Sequence, residues 1–174
     1  MMFRRFFYKI FIYFFHLLYR VTFFNFIRIF LLNFLGASIK KSTFISRKAK
    51  FDFPWRLVIG SNCYISDYVY FDCRGGNIIV GDNVDISLEA IIFTATHDIY
   101  SDRFDVKTAE VEIGNRAWIC ARTIVLPGSR ISKGVVVGAN SVISGYALEN
   151  SLYQGVPAIK RKELSKNRSC LVRS

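Results

Sequence analysis

The chain is 174 residues long, which suits one domain with an appended segment. Its 52% hydrophobic and 16% aromatic content means core size is not limiting. A net charge of +11 favours an anionic partner: a membrane surface, a phosphorylated small molecule or, ranked last, nucleic acid, since no nucleic-acid motif appears and the basic residues gather at the two ends.

Residues 1–35 differ from everything after them. No small-residue cleavage site follows a short apolar core, so a cleaved signal peptide is not expected. Lys9, His16, Arg20 and Arg28 interrupt every apolar run before it reaches about 18 residues. At helical spacing Arg5, Lys9, His16 and Arg20 share one narrow face, and Phe and Leu side chains spread over the rest. That pattern predicts an amphipathic helix at the membrane interface, with His16 in its polar stripe; the competing reading packs the helix on the protein's own oligomer.

Residues 36–58 open the next region, with Ile39 and Ile45 suggesting a first irregular coil broken by Phe53-Pro54-Trp55. From Ile59 on, aliphatic residues recur every six positions: Ile59, Ile65, Phe71; Val80, Ile86, Ile92; then Ile113, Ile119, Val125, Ile131, Val137, Ile143. Small or β-branched residues (Cys63, Ala90, Ala117, Thr123, Ser129, Ser141) sit four positions after many of them. A six-residue period is neither helical nor alternating. It predicts a chain that turns a corner every six residues, three sides to a coil, with coils stacked so that each strand pairs with the one below. Extra residues fall near Arg74-Gly75-Gly76 and in a polar loop at 98–112. Residues 145–160 close the prism, and 161–174 form a basic tail.

Cys63, Cys73, Cys120 and Cys170 contain no Cys-x-x-Cys pair, so neither a zinc site nor a disulfide framework is expected. Reduced thiols fit the cytoplasm.

Leu35-Gly36-Ala37, Phe53-Pro54-Trp55, Thr96-His97-Asp98, Phe104-Asp105, Ala117-Trp118-Ile119, Pro127-Gly128 and Gly155-Val156-Pro157-Ala158, in this order, resemble the hexapeptide-repeat acyltransferases, and most of all the colanic acid and related polysaccharide O-acetyltransferases. The resemblance covers residues 30–160. It implies an all-β, left-handed parallel β-helix; parallel crossovers are otherwise right-handed by rule. It also implies acetyl-CoA as co-substrate, a glycan or sugar acceptor, a homotrimer with sites between prisms, and no metal.

Of the two histidines, His97 ends a hexad just before the fifteen-residue loop, where its side chain would stand outside the prism. Its Thr-x-Thr-His-Asp setting matches the catalytic histidine of the family. An alcohol needs a base before it can attack a thioester, and imidazole can take that proton and pass it to the departing thiol. Asp72, Asp85 and Asp98 are candidates to fix its tautomer, with Asp72 and Asp98 preferred. Tyr70 stands where the galactoside enzymes carry Asn. By resemblance, acetyl-CoA contacts fall on Trp118, Ala121, Ala139, Ser144, Lys160 and Lys162. The implied function is O-acetylation of a sugar hydroxyl in exopolysaccharide, capsule or lipid-linked glycan synthesis, at the cytoplasmic face of the membrane. Alternatives are a soluble acetyltransferase for free sugars and a non-catalytic scaffold; a zinc lyase would need three histidines where the coils hold one.

Overall fold

The computed structural model describes residues 2–165, with side chains described for Ile10 and from Tyr13 onward. Cys170 and most of the basic tail lie outside the described residues, as do the side chains of Arg5 and Lys9.

The N-terminal segment is two helices, α1 (Met2–Val21) and α2 (Asn25–Phe34). Arg28 explains the break between them. Its guanidinium donates to the carbonyls of Thr22 (2.9 Å) and Phe23 (2.8 Å), pinning the linker that follows α1. Among the described residues no helix is long and apolar enough to cross a membrane.

Beyond the helices lies the predicted β-helix. Strands β1 (Ser38–Ile39), β2 (Phe44–Ile45) and β3 (Lys50–Asp52) make the first coil; β4 (Leu57–Ile59), β5 (Tyr64–Ile65) and β6 (Tyr70–Asp72) the second; β7 (Ile78–Val80), β8 (Asp85–Ile86) and β9 (Ile91–Phe93) the third. A hairpin of β10 (Ala95–His97) and β11 (Val106–Thr108) then leaves the prism. The fourth coil is β12 (Val111–Ile113), β13 (Trp118–Ile119) and β14 (Ile124–Val125); the fifth is β15 (Arg130–Ile131), β16 (Val136–Val137) and β17 (Val142–Ile143). The sixth is β18 (Tyr146–Ala147) and β19 (Ser151–Gly155), onto which β20 (Ala158–Glu163) folds back antiparallel. The strand takes in Lys160 and the first residues of the basic segment, Arg161 and Lys162.

Three parallel sheets result. Sheet A is β1-β4-β7-β12-β15-β18, sheet B is β2-β5-β8-β13-β16-β19 with β20 at its end, and sheet C is β3-β6-β9-β14-β17. The aliphatic residues of the six-residue period point inward and stack in register, as in Ile45–Ile65–Ile86–Ile119–Val137. All are buried, and each fully buried aliphatic side chain contributes about 2 kcal/mol. Corners are turned by residues in left-handed backbone, among them Asn62, Tyr68, Asn83, Glu89, Arg116, Arg122, Gly128, Gly134, Asn140 and Asn150, with φ between 48° and 79°. That conformation costs most side chains about 1–2 kcal/mol, which favours the asparagines and glycines among them.

The corners are not equivalent. From sheet A to B and from B to C every step is six residues, as in Ile113 to Ile119 to Val125. From C to A the first three steps are longer: eight residues from Phe51 to Ile59, nine from Phe71 to Val80 and twenty-one from Ile92 to Ile113. All three insertions, including the 3-10 turn Pro54–Arg56 and the hairpin that carries His97, therefore stack on one edge of the prism.

The helices close the open first coil, and their inward polar groups pair with the backbone of its unpaired strands. Asn33 exchanges two hydrogen bonds with Ile39 (2.8 and 3.0 Å). Asn25 accepts from the Ile45 N–H (3.0 Å), and Arg28 Nε donates to the Ile45 carbonyl (2.9 Å). His16 Nε2–H donates to the Phe51 carbonyl (3.0 Å). This corrects the expectation for His16: it faces the prism, stacked on Phe51, and not the polar stripe. The reason is the sheet edge, which needs donors where an apolar helix face would supply none.

Candidate active site

His97 is exposed on the hairpin at the C-to-A edge. Its Nδ1 lies 2.6 Å from the carbonyl of Phe104, seven residues on. A carbonyl can only accept, so Nδ1 carries a proton, and in the neutral ring this tautomer puts the lone pair on Nε2. Phe104 has φ 50°, which turns the hairpin tip at the residue whose carbonyl meets the ring. The hairpin is braced by the Asp98–Lys107 ion pair (2.9 Å), by the Asp98 N–H donating to the Asp105 carbonyl (2.8 Å), and by Ser101 Oγ–H donating to Asp105 (2.6 Å). Lys107, then the Tyr100 N–H, holds the Asp98 carboxyl below its usual range.

The hairpin base rests on the coil beneath. The Thr94 hydroxyl donates to the Asp72 carbonyl (2.6 Å) and accepts from the Gly75 N–H (2.9 Å). A Cβ on Gly75 would collide with the Thr94 carbonyl, so only glycine allows this approach. Asp72 is fully buried, and its carboxylate is gripped by Arg74 through Nε (2.8 Å) and Nη2 (2.7 Å). Asp52 lies 3.8 Å from the same guanidinium and accepts from the Tyr70 hydroxyl (2.6 Å). Burial, then that bond to Asp52, raises the Tyr70 pKa.

Asp72 and Asp98 are expected to fix the His97 tautomer; in the structure the His97 ring meets the Phe104 carbonyl. Asp72 is occupied by Arg74 and Asp98 by Lys107, and the Phe104 carbonyl takes the role. A backbone oxygen has no signature in sequence; the only hint was Phe104-Asp105 recurring as a motif. The sequence places Arg74 in an insertion, and its grip on Asp72 has no signature there beyond the two-residue spacing.

Ala121 and Ala139 sit one above the other at the B-to-C edge of the fourth and fifth coils, joined by the Asn140 N–H donating to the Ala121 carbonyl (3.0 Å). Trp118 lies on the outer face of sheet B, its indole N–H donating to Ser87 Oγ (3.0 Å). Ser144 is exposed on the C-to-A edge, as His97 is. Lys160 and Lys162 are exposed on β20, with Lys160 paired to Glu163 (3.1 Å). One prism thus gathers Trp118, Ala121, Ala139 and the β20 lysines around sheet B and its border, and leaves His97 and Ser144 on another edge.

A groove of about 690 Å³ runs between α1 and the outer face of sheet C. Tyr13, His16, Leu17 and Arg20 form one wall; Lys50, Asp52, Tyr68, Tyr70 and Glu89 form much of the other. The Tyr70–Asp52–Arg74–Asp72 contacts connect this groove to the hairpin base.

Burial pushes the Cys73 thiol up to about 12, with Asp72 adding to it, and the Cys120 thiol up to about 11, with Asp85 adding to it. Burial also raises Cys63. These three thiols are protonated at neutral pH, so none supplies a thiolate nucleophile. Among the described residues no three His, Cys, Asp or Glu side chains cluster as metal ligands would.

No family model matches the chain. Over 136 residues it is 32% identical to WcaF of Escherichia coli K12, assigned to colanic acid biosynthesis as an acetyltransferase; the match covers 78% of this chain and 74% of that protein. A maltose O-acetyltransferase from Clostridium difficile 630 superimposes with a TM-score of 0.80 at 25% identity, covering 90% of this chain and 86% of the other. A Vibrio cholerae hexapeptide-repeat acetyltransferase, solved with acetyl coenzyme A, gives a TM-score of 0.81 over 87% of this chain and 84% of its own, and at 22% identity it speaks for the fold alone. The chain belongs to the hexapeptide-repeat acetyltransferase family.

Proposed function

We propose that the protein transfers acetyl from acetyl-CoA to a sugar hydroxyl of a glycan precursor in exopolysaccharide, capsule or lipid-linked glycan synthesis, with His97 as the general base. The observation that carries this reading is the Nδ1–Phe104 hydrogen bond, which leaves Nε2 outward with a lone pair. Nε2 takes the proton of the acceptor hydroxyl as its oxygen attacks the thioester carbonyl. The tetrahedral intermediate collapses, the carbon–sulfur bond breaks, and the imidazolium returns the proton to the coenzyme A sulfur. Direct transfer between two bound substrates suits a site whose nearby thiols are protonated. The maltose O-acetyltransferase and the colanic acid relative support a sugar acceptor and a polysaccharide role, respectively.

The acceptor fits the groove between α1 and sheet C, where tyrosines offer flat faces to a sugar ring and Asp52, Glu89, Arg20 and Lys50 offer polar contacts. Acetyl-CoA fits the border of sheet B. Ala121 and Ala139 let its arm lie close to backbone, Trp118 flanks it, and Lys160 and Lys162 meet its phosphates; Ser144 contributes from the C-to-A edge. Because His97 and Ala121 stand on different edges of one prism, the site closes between neighbouring prisms packed side by side, as in a homotrimer. Acetyl-CoA as donor places the reaction in the cytoplasm. The test is free-thiol release from acetyl-CoA with purified protein and a panel of free and lipid-linked sugars. Release that requires a sugar is the expected result; release with free sugars alone would favour a soluble-acceptor enzyme, and no release together with no coenzyme A binding would overturn the reading in favour of a scaffold.

A further inference from the structure

The helices that close the first coil have a second face, which none of the described residues covers. Phe23 and, on α2, Phe26, Phe30 and Phe34 follow one another at three- or four-residue spacing and are 66–80% exposed. Phe14 and Leu18 of α1 are exposed as well. An aromatic surface of this kind on a water-soluble face is costly unless something covers it.

The charge of the same region says what that is. Residues 1–51 contain ten of the chain's 24 Lys and Arg and no Asp or Glu, whereas the rest of the chain holds fourteen basic and thirteen acidic residues. Almost the whole net charge therefore sits in the helices and the first coil. Arg28 is buried, but Arg20, Lys40, Lys41 and Arg47 are exposed. They are interleaved with the aromatics: Lys41 lines one groove with Phe26 and Phe30, and the Arg47 guanidinium lies 5.5 Å from the centre of the Phe23 ring.

We propose that this face docks the protein on an anionic bilayer surface. Aromatic rings enter the boundary between headgroups and acyl chains while the surrounding cations meet lipid phosphates. A second copy of the same face is a poor occupant, since it would set cation against cation. The docked face also adjoins the acceptor groove, because α1 lines the groove with Tyr13, His16, Leu17 and Arg20 and presents Phe14 and Leu18 outward. A glycan carried on a lipid then reaches the groove without leaving the membrane surface; this second step rests on the acceptor reading above, and the docking itself does not.

The experiment is co-sedimentation of the full chain with vesicles of phosphatidylcholine alone and of phosphatidylcholine mixed with phosphatidylglycerol. Binding at least about tenfold stronger to the anionic vesicles, and weakening with salt, is expected. The double variant Phe26→Glu/Phe30→Glu loses it, and Lys40→Ala/Lys41→Ala loses much of it. Both keep wild-type thiol release on a free-sugar acceptor, which shows that they fold. Equal binding to both vesicle types, or binding that neither variant changes, overturns the proposal. So does absence of vesicle binding, and if the Phe26→Glu/Phe30→Glu variant then also lowers the oligomeric mass, the face belongs to a second copy. Vesicle binding by a protein that acetylates no sugar would refute the acceptor reading and leave the docking standing.

Discussion

A carbonyl oxygen orients a histidine without adding charge beside it. In this protein that choice leaves His97 held by the hairpin's own backbone, so the orientation of the ring depends on the hairpin fold. The hairpin in turn depends on the Asp72–Arg74 pair below it. Arg74 is more than half exposed while Asp72 is fully buried, so the two partners are not equivalent. Arg74→Ala leaves a buried carboxylate without its main partner and costs about 1–3 kcal/mol, kept to the low end because water can enter where the guanidinium stood. Urea denaturation checks this, and an unchanged midpoint would show that the pair does not brace the edge. His97 itself was legible in sequence because a histidine at the end of a hexad, before an insertion, must stand outside the prism. Its partner was not legible, because any residue can supply a carbonyl and only the left-handed turn at Phe104 aims this one.

At the scale of elements, the two helices perform a task that their composition conceals. His16 is expected in a basic stripe with Arg5, Lys9 and Arg20, yet it points inward to the backbone of the first coil, as do Asn25, Arg28 and Asn33. Helical periodicity reports which residues share a face; it does not report that the opposing surface is a row of unpaired peptide groups. Burial is the main cause that lowers the His16 pKa from 6.5, with its bond to Phe51 opposing, and its Nδ1 is buried without a hydrogen-bond partner. The folded protein thus resists a proton that the unfolded chain accepts. Stability attributable to His16 is complete above pH 6.5 and declines as pH falls below 6.5 towards the folded value, since there the unfolded state binds more protons. His16→Gln, which can still donate to the Phe51 carbonyl, should lose less stability between neutral and mildly acid pH than wild type does. Denaturation midpoints on either side of that pH check it, and parallel losses in the two proteins would mean that His16 is not the group responsible.

For the whole molecule, the six-residue period made the prism legible from sequence: every residue of the series from Ile59 to Ile143 points inward. The distribution of length around the prism was less apparent, because insertions counted along a chain do not reveal that they stack on one edge until the corners are assigned. With the edges known, His97 and the Ala121–Ala139 pair are separated on one prism, so the site as proposed requires a neighbour. Sedimentation equilibrium should accordingly give three times the 20.1 kDa chain mass, and a fully active monomer would contradict the shared site.

The central claim is that His97 Nε2 removes the acceptor proton. It is tested most directly by comparing wild type with His97→Ala in acceptor-dependent thiol release, alongside acetyl-CoA binding measured by calorimetry. The account predicts that kcat falls about 100-fold or more while acetyl-CoA affinity is unchanged. A variant that turns over at the wild-type rate would contradict it.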